Sequence, residues 1–564
     1  MRTFFFFALS VLSGGMKPHI VTLIADDLGW ADVGYHNADA HTPVIDRLVR
    51  DGVELRRHYA YHICSPSRIS FMTGRLPAHV DMTGAAFTNV IAPSDPERAY
   101  PGIPRSMSSL AEKLVIAGYT NHYVGKWDVG VGSPRQTPLQ RGFESFFGYF
   151  GHSIDYYTYQ TVRERDCSGN PMIDLWEDNR PAKHLAHRSL YIEDLFTNRS
   201  RGIIRKHARK HANTSDTRRP LFLTHAFHLV HTPLQLPPGA PSCYTGEKKR
   251  SELRAGGTYF VDGHWCHIKE RQVFAAMASH LDSIVHSLVT ALRRARLWEN
   301  TLMLFFSDNG GALGCSGGNN HPLMGGKTTV WEGGVRTVAF LSGGFLPREV
   351  RGSHRDALIH IADWYATFSE LAGVGPVDPK ANSRAGLPAV DGLNQWPVIM
   401  GEAKHARTEM YMDPFCLYVD RWKYVAAYPG KPNTRKLSMH PPAVYPEDNC
   451  TLPLTATPRH VCSTSGGVCL FDIIDDPLEL HNLAAAGIRD NTTLVLKAIQ
   501  DRLAALNQAN TFLNWKRSLP KLKWPKSQSK AMCATIKRHG GYVAPPSAEE
   551  RSLDIQLQRG TLNA

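Results

Sequence analysis

Pro18-His19-Ile20-Val21-Thr22-Leu23-Ile24-Ala25-Asp26-Asp27 is an apolar, β-branched run that stops abruptly at two carboxylates. The run has no regular polar row, so neither side of it reads as facing water. That pattern predicts a strand covered on both faces, as in a parallel sheet, with Asp26 and Asp27 delivered at its C-terminal tip. Ligands of open α/β sheets bind at that end of the strands. Residues 302–306 repeat the device and run into Ser307-Asp308-Asn309-Gly310-Gly311.

Outward from these two strands the chain alternates. Residues 42–50 predict a helix followed by a short strand near Val53, 108–117 a helix, 120–124 and 220–226 strands, 274–297 a long helix, 338–341 a strand, and 357–372 an amphipathic helix. Strands alternating with helices imply an α/β fold, a large and mostly parallel mixed sheet flanked by helices. Beyond residue 405 the texture changes: 417–427 and 468–473 read as short strands separated by a Pro-rich, Cys-containing loop, and 491–506 has helical spacing. The expected organisation is a leader over 1–15, a main domain over 16–405, a smaller C-terminal α+β domain over 406–515, and a basic extension over 516–564. The Pro-interrupted start of that extension, 516–530, reads as solvated and partly disordered.

The leader has Arg2 ahead of a nine-residue apolar run, residues 4–12, closed by Ser13, Gly14 and Gly15. That is the pattern of a secretory signal peptide, and no later stretch reads as the ~18–20 apolar residues of a membrane span. A secreted or lysosomal protein of the secretory pathway is expected, without stable membrane insertion and without a nucleic-acid partner. Sequons at Asn198, Asn213, Asn449 and Asn491 agree with export. Ten cysteines in 564 residues are too few to be the main scaffold, but Cys450, Cys462 and Cys469 lie close enough for one or two disulfides. A 42% hydrophobic, 20% charged composition excludes a disordered or collagen-like chain. The net charge of +13, with 27 histidines besides, favours an anionic substrate.

Asp26-Asp27 and Asp308-Asn309 are oxygen-rich corners at strand ends. Converging on one cation, they suit a hard ion such as Ca²⁺ or Mg²⁺ better than zinc. Between them lies Cys64-Ser65-Pro66-Ser67-Arg68, which reads as a loop feeding a helix that carries Thr73-Gly74-Arg75. Such a helix offers free N–H groups to an anion, and Arg68 is placed where a guanidinium can grip a tetrahedral oxyanion.

Cys-x-Pro-Ser-Arg followed by Thr-Gly-Arg resembles the hallmark of the sulfatase family. The resemblance extends over residues 18–483. It includes Gly125-Lys126-Trp127, Arg141-Gly142-Phe143, residues 230–235, Gly326-Lys327, residues 331–336 and Leu470-Phe471-Asp472. It implies an alkaline-phosphatase-like fold and is nearest in kind to the arylsulfatase B type, which removes 4-sulfate from N-acetylgalactosamine residues of glycosaminoglycans. It further implies that a formylglycine-generating enzyme oxidises Cys64 to formylglycine. The hydrated aldehyde then attacks sulfur with one hydroxyl, and the other expels the sulfate. Nucleophilic catalysis of this kind replaces one difficult step with two easier ones. By the same matching, Asp26, Asp27, Asp308, Asn309 and the residue at 64 hold one Ca²⁺. Lys126 and Lys327 face the sulfuryl oxygens, and His231 serves the leaving oxygen of a sulfated carbohydrate.

One position departs from the pattern. Where these enzymes read Gly-Lys-Trp-His, this chain reads Gly125-Lys126-Trp127-Asp128. Asp128 is therefore either a slower substitute base, its pKa raised by neighbouring anions, or the mark of an impaired enzyme. A phosphate-ester hydrolase of the same superfamily and a silent sulfated-glycan binder remain as alternatives. Ser153 is a weaker candidate for the pocket. His225 and His228 read as packing or loop histidines, and Cys315 as either free or paired.

Overall fold

The computed structural model describes residues 16–80, 102–131, 133–166, 168–186, 188–211, 219–236, 258–261, 264–267, 269–313, 316–382, 387–426, 467–484, 490–509 and 535–544. The leader, Asn213, Cys315, Asn449, Cys450, Cys462 and residues 516–530 lie outside them.

The strand that opened the reading is β1 (His19–Ala25), followed by α1 (Pro43–Arg50), β2 (Val53–Leu55), α2 (Cys64–Thr73), α3 (Leu110–Ile116), β3 (Thr120–Lys126), β4 (Ser145–Tyr149), β5 (Trp176–Glu177) and β6 (Arg180–Pro181). Then come α4 (Ile192–His211), β7 (Leu221–Ala226), α5 (Lys269–Arg294), β8 (Thr301–Ser307), α6 (Glu332–Val335), β9 (Ala339–Ser342), β10 (Ser353–Arg355) and α7 (Asp363–Leu371). The ten strands form one sheet in the order β10-β2-β9-β8-β1-β7-β3-β4-β5-β6. Its centre, β8-β1-β7-β3-β4, is parallel throughout. Antiparallel pairs close it on either side, through β9 and β2 and through β5 and β6.

Successive side chains of a strand point to opposite faces, and here both faces are core. Ile20 and Ile24 join Leu304, Phe306 and Phe222 under α2, α3 and α7. Val21 and Leu23 join Phe305 and Leu223 under α1, α4 and α5. Each such fully buried side chain contributes about 1.5–3 kcal/mol, which is why an uninterrupted apolar run fits only the middle of the sheet. Part of α5, Arg271–Arg294, is long and apolar enough to cross a membrane by length and composition, and 56% of its most apolar window is buried. It packs against α1 and α4 as a core helix.

Residues 357–372, read as one helix, divide. Ile359 and His360 pair as a short strand with His58 and Tyr59, and the helix begins only at Asp363. The reading passed over α4 and β4–β6. Beyond residue 405, β11 (Glu409–Asp413), β12 (Cys416–Val419), β13 (Trp422–Ala426) and β14 (Val468–Asp472) form an antiparallel sheet, against which α8 (Asp490–Ala509) packs through Ile499 and Leu503. Residues 417–427 are thus a hairpin rather than one strand. The small sheet is tied to the main one by Lys423, wholly buried, whose Nζ lies 3.1 Å from Glu332 and 2.6 Å from Glu479. Cys469 on β14 is disulfide-bonded. Residues 535–544 return to the main sheet. Trp176 donates to the Val543 carbonyl at 2.8 Å, and Ile536 and Val543 cover Met172, so residues 535–544 of the extension are packed on the main domain.

Candidate active site

The tips of β1, β8, β3 and β7 and the start of α2 meet at one point. Cys64 is the first residue of α2, not part of a loop before it, and Pro66 lies within the first turn, where its missing N–H breaks no helical bond. Ser67 secures that turn by donating to the carbonyls of Tyr61 and Ile63. Every side chain of α2 is buried, and Gly74 ends it in the left-handed conformation.

The Cys64 thiol is 3.4 Å from Asp26 Oδ1, 4.0 Å from Asp27 Oδ1 and 3.2 Å from Lys327 Nζ. Lys327 also donates to Asp27 Oδ1 at 2.6 Å, and Lys126 donates to Asp26 Oδ2 at 2.7 Å. Lys126 is carried there by β3, whose Gly125 runs so close to β7 that a Cβ would lie 1.7 Å from the Ala226 carbonyl oxygen. Asn309 donates to Asp27 Oδ1 at 2.7 Å, while its own Oδ1 is buried without a hydrogen-bond partner. His231 turns Nδ1 to the Thr232 carbonyl at 2.7 Å and Nε2 to Asp27 Oδ2 at 3.6 Å. Asp27, Asp128 and Thr328 all hold positive φ, at 62°, 48° and 74°. Left-handed backbone at non-glycine residues concentrates at functional sites, and a β-branched residue such as Thr328 adopts it at a cost.

Ligand atoms of Asp26, Asp27, Cys64 and His231 lie within 4.8 Å of one another. Asp308 stands beside them with Oδ1 3.4 Å from the Asp27 amide. The orphaned Asn309 oxygen and the carboxylates together make a hard-donor set, which fits a divalent cation of the Ca²⁺ class.

Arg68 departs from expectation. It faces inward, its Nε on Asp308 Oδ2 at 2.8 Å and its Nη1 on the Lys126 carbonyl at 3.2 Å, so it braces the corner instead of opening to an anion. Its Nη2, 3.9 Å from Asp26, has no hydrogen-bond partner.

Burial raises the carboxylates of Asp26 and Asp27, but Lys126 beside the first and Lys327 beside the second, with His231, hold both below the usual range. For Asp308 burial outweighs Arg68 and the pKa rises to about 6. Burial and the Asp308 charge push the Cys64 thiol up. Burial, helped by Lys327, pushes His231 down to about 3.

Asp128 does not match the first of its two expected roles. Burial works to raise its pKa, but His152 and then Lys126 overcome it, so the carboxylate is held below the usual range and is not a base with a raised pKa. It accepts from Ser65 Oγ at 2.7 Å and lies 2.9 Å from His152 Nδ1 and 3.4 Å from Lys126 Nζ. Ser153, the weaker candidate, is buried, and its neighbour His152 was not among the candidates. His225 is a packing histidine, with Nδ1 2.8 Å from Ser200 Oγ. His228 does more. It stacks on Tyr156, is held by the Ile154 carbonyl at 2.7 Å, and stands 3.9 Å from Asp26 Oδ2. Glu193 accepts from the His228 and Leu229 amides at 2.6 and 3.1 Å, fixing the turn that presents His231.

Comparison with known proteins gives this corner a chemistry. The family model described as Sulfatase matches residues 18–374. Mouse arylsulfatase J is 31% identical over 497 residues, covering 84% of this chain and 74% of that protein. Human arylsulfatase A is 29% identical over 539 residues, covering 89% and 90%. Rat N-acetylgalactosamine-6-sulfatase is 30% identical over 408 residues, covering 70% and 68%. The crystal structure of Ps i-CgsB superposes with a TM-score of 0.63 at 23% identity, covering 89% of this chain and 95% of that one. The phosphonate monoester hydrolase of Agrobacterium radiobacter superposes at 0.50 and 16% identity, covering 88% and 96%. At those identities the structures speak for the fold alone, which hosts more than one ester chemistry. The family match spans the whole main sheet and the homologues align across most of the sequence, so this chain belongs to the sulfatase family of enzymes, which hydrolyse sulfate esters.

Proposed function

We propose that the chain removes sulfate from a sulfated sugar or glycosaminoglycan-like polysaccharide, with formylglycine made from Cys64 as nucleophile. The observation that carries this is the position of Cys64, the first residue of a buried helix, its sulfur 3.4 Å from Asp26 and 3.2 Å from Lys327. A thiol in that place is a poor nucleophile, because burial and Asp308 raise its pKa. The same place suits an oxygen nucleophile activated by a cation.

Asp26, Asp27, Asp308 and Asn309 would hold one Ca²⁺, which supplies Lewis-acid charge for the attacking hydroxyl and the sulfuryl oxygens. The chain's own part is charge and alignment. Lys126 and Lys327 are ammonium groups anchored to Asp26 and Asp27, so their remaining N–H bonds are preorganised for an anion. Arg68 keeps Asp308 in place. His231, its Nδ1–H committed to the Thr232 carbonyl, turns Nε2 toward Asp27 on the side of the leaving oxygen, to which it gives a proton only once Nε2 has itself taken one up.

Among substrates, the arylsulfatase B resemblance puts the 4-sulfate of N-acetylgalactosamine first, and the likeness to N-acetylgalactosamine-6-sulfatase makes the 6-sulfate its competitor. The Cys469 disulfide and the exposed Asn198 sequon support a place in the secretory pathway.

The test is hydrolysis of a chromogenic aryl sulfate, then of 4- and 6-sulfated disaccharides, with and without a chelator. It is paired with the mass of the Cys64 peptide from a host that makes formylglycine. Chelator-sensitive turnover and an aldehyde-bearing peptide support the proposal. An intact thiol with no turnover refutes it and leaves the silent binder.

A further inference from the structure

Helices α4 and α5 pack side by side, and the groove between their C-terminal halves holds a cavity of about 600 Å³. Arg201, Arg205 and Arg209 recur every four residues along the α4 wall, and Arg294 and Arg296 stand at the end of the α5 wall. That spacing keeps the three on one helix face over a rise of about 12 Å. Arg201 is half-buried and the other four are exposed. Among the described residues no carboxylate lines the groove, and none of the five side chains has an ion-pair or hydrogen-bond partner. Nearby arginines are engaged instead: Arg199 with Glu177, Arg219 with Glu144, Arg293 with the Trp298 ring. Like charges four residues apart destabilise a helix, so an anion in the groove would relieve the row. The helix dipole accounts for Arg209 and Arg294 in the last turns, but not for Arg201 and Arg205 further up α4 or Arg296 beyond α5. Arg296 sits in the turn after α5 with a φ of 55°, while Leu297 donates to the Leu292 carbonyl at 3.0 Å. Glycine is the usual residue in such a left-handed position.

We propose that this groove is a second anion-binding site, remote from the active site, which holds a sulfated polysaccharide chain through arginine–sulfate pairs. Guanidinium groups present paired N–H donors to tetrahedral oxyanions. The rest of the lining selects among polyanions: it is His286, the hydroxyls of Ser287 and Thr290, and three alanines. It has no Phe, Tyr or Trp on which bases could stack and no large apolar side chain to enter a bilayer. The hydroxyls suit a sugar chain, and the choice of a sulfated one rests on the sulfatase reading above. α4 leads into β7 and α5 into β8, so their ends lie at the N-terminal edge of the sheet. His19, Pro220 and Asn300, at the starts of β1, β7 and β8, line an adjoining cavity that shares Arg296. The active site is at the opposite tips, about 20 Å away along the seven residues of β8. A polymer gripped at the groove therefore keeps its remaining sulfates near the enzyme without occupying the catalytic corner.

The test is binding of the full chain to immobilised chondroitin sulfate at about 0.15 M salt, in a Cys64→Ala background so that no sulfate is removed while binding is read. Arg205→Gln combined with Arg294→Gln, one from each wall, should weaken binding at least about tenfold. Lys404→Gln combined with Lys497→Gln, exposed residues that remove the same charge elsewhere, should change it by less than about threefold. Arg296→Gly should weaken binding by about threefold or more while the melting temperature stays at or above the parent's, because glycine accepts the left-handed turn. With Cys64 intact, the two-arginine variant should keep the parent's melting temperature and its turnover of an aryl sulfate, which is too small to reach the groove. The parent's own aryl sulfate turnover measures the sulfatase reading separately: binding without turnover leaves the groove standing and removes that reading. The proposal is overturned by a two-arginine variant that binds within twofold of the parent, or by a lysine pair whose loss weakens binding as much. It is equally overturned if single-stranded DNA or phosphatidylserine vesicles compete as well as free chondroitin sulfate.

Discussion

Replacing Glu193 by Gln should stabilise the protein, and by more as the pH rises. Glu193 is wholly buried; Oε1 accepts the His228 and Leu229 amides at 2.6 and 3.1 Å, and Oε2 has no partner. Burial raises its pKa from 4.5 to about 8, against the lowering effect of the two amides. The unfolded chain therefore gives up this proton near 4.5 while the folded protein keeps it until about 8. Stability contributed by the neutral carboxyl is complete below the lower value and drains away as the pH climbs to the higher one. At 1.36 kcal/mol per unit the loss has a ceiling of about 5 kcal/mol, and relaxation of the ionised carboxylate onto the amides brings the expected figure to about 2–3 kcal/mol. Glutamine keeps both accepted bonds and does not titrate. Apparent melting temperatures of parent and Glu193→Gln at pH 5, 6.5 and 8 are the assay. The variant should lie within about 1 kcal/mol of the parent at pH 5 and exceed it by several degrees at pH 8, with kcat/KM at pH 5 unchanged. A difference constant across that range, or a gain that shrinks with pH, refutes the assignment.

The remaining predictions concern the cation corner and its supports. Asn309→Leu removes both the orphaned oxygen and the bond to Asp27, and calorimetric titration with Ca²⁺ should show affinity reduced at least about tenfold. Lys423→Met leaves Glu479 buried without its cation and Glu332 with Arg336 alone, 3.7 Å away, so denaturant titration should show a loss of about 3–5 kcal/mol, largely recovered when both glutamates are also made apolar. Gly310→Ala puts a Cβ 1.8 Å from the Gly333 carbonyl oxygen; the expected result is insoluble protein or soluble protein without turnover.

What was legible in the sequence divides by the range of the interaction behind it. β1 and β8 could be read because each is an apolar run bounded by polar residues, and their carboxylate tips came with them. Lys126, His231 and Lys327 were placed by motif, and the structure brings all three to Asp26 and Asp27. Helix α4 was missed because Arg199, Arg201, Arg205, Lys206, Arg209 and Lys210 dilute its apolar face, of which Ile204 packs in the core. The strand at Ile359 depends on pairing with His58 and Tyr59, three hundred residues earlier, and nothing local distinguishes it from a first helical turn. Arg68 looked free to bind an anion because its buried partner Asp308 is 240 residues away. His152 was invisible for a similar reason: it meets Asp128 just beyond the ends of two adjacent strands, and only the β3–β4 register joins them.

With all of α2 buried and Cys64 only 3% exposed, no second enzyme can reach that thiol once the main sheet has closed over it. Oxidation on the proposed route has to precede that closure, in a race with collapse, so that each folded molecule is committed to one outcome. A preparation would then be a mixture of competent and inert copies, and its specific activity would record how often oxidation outran folding as much as the quality of the site.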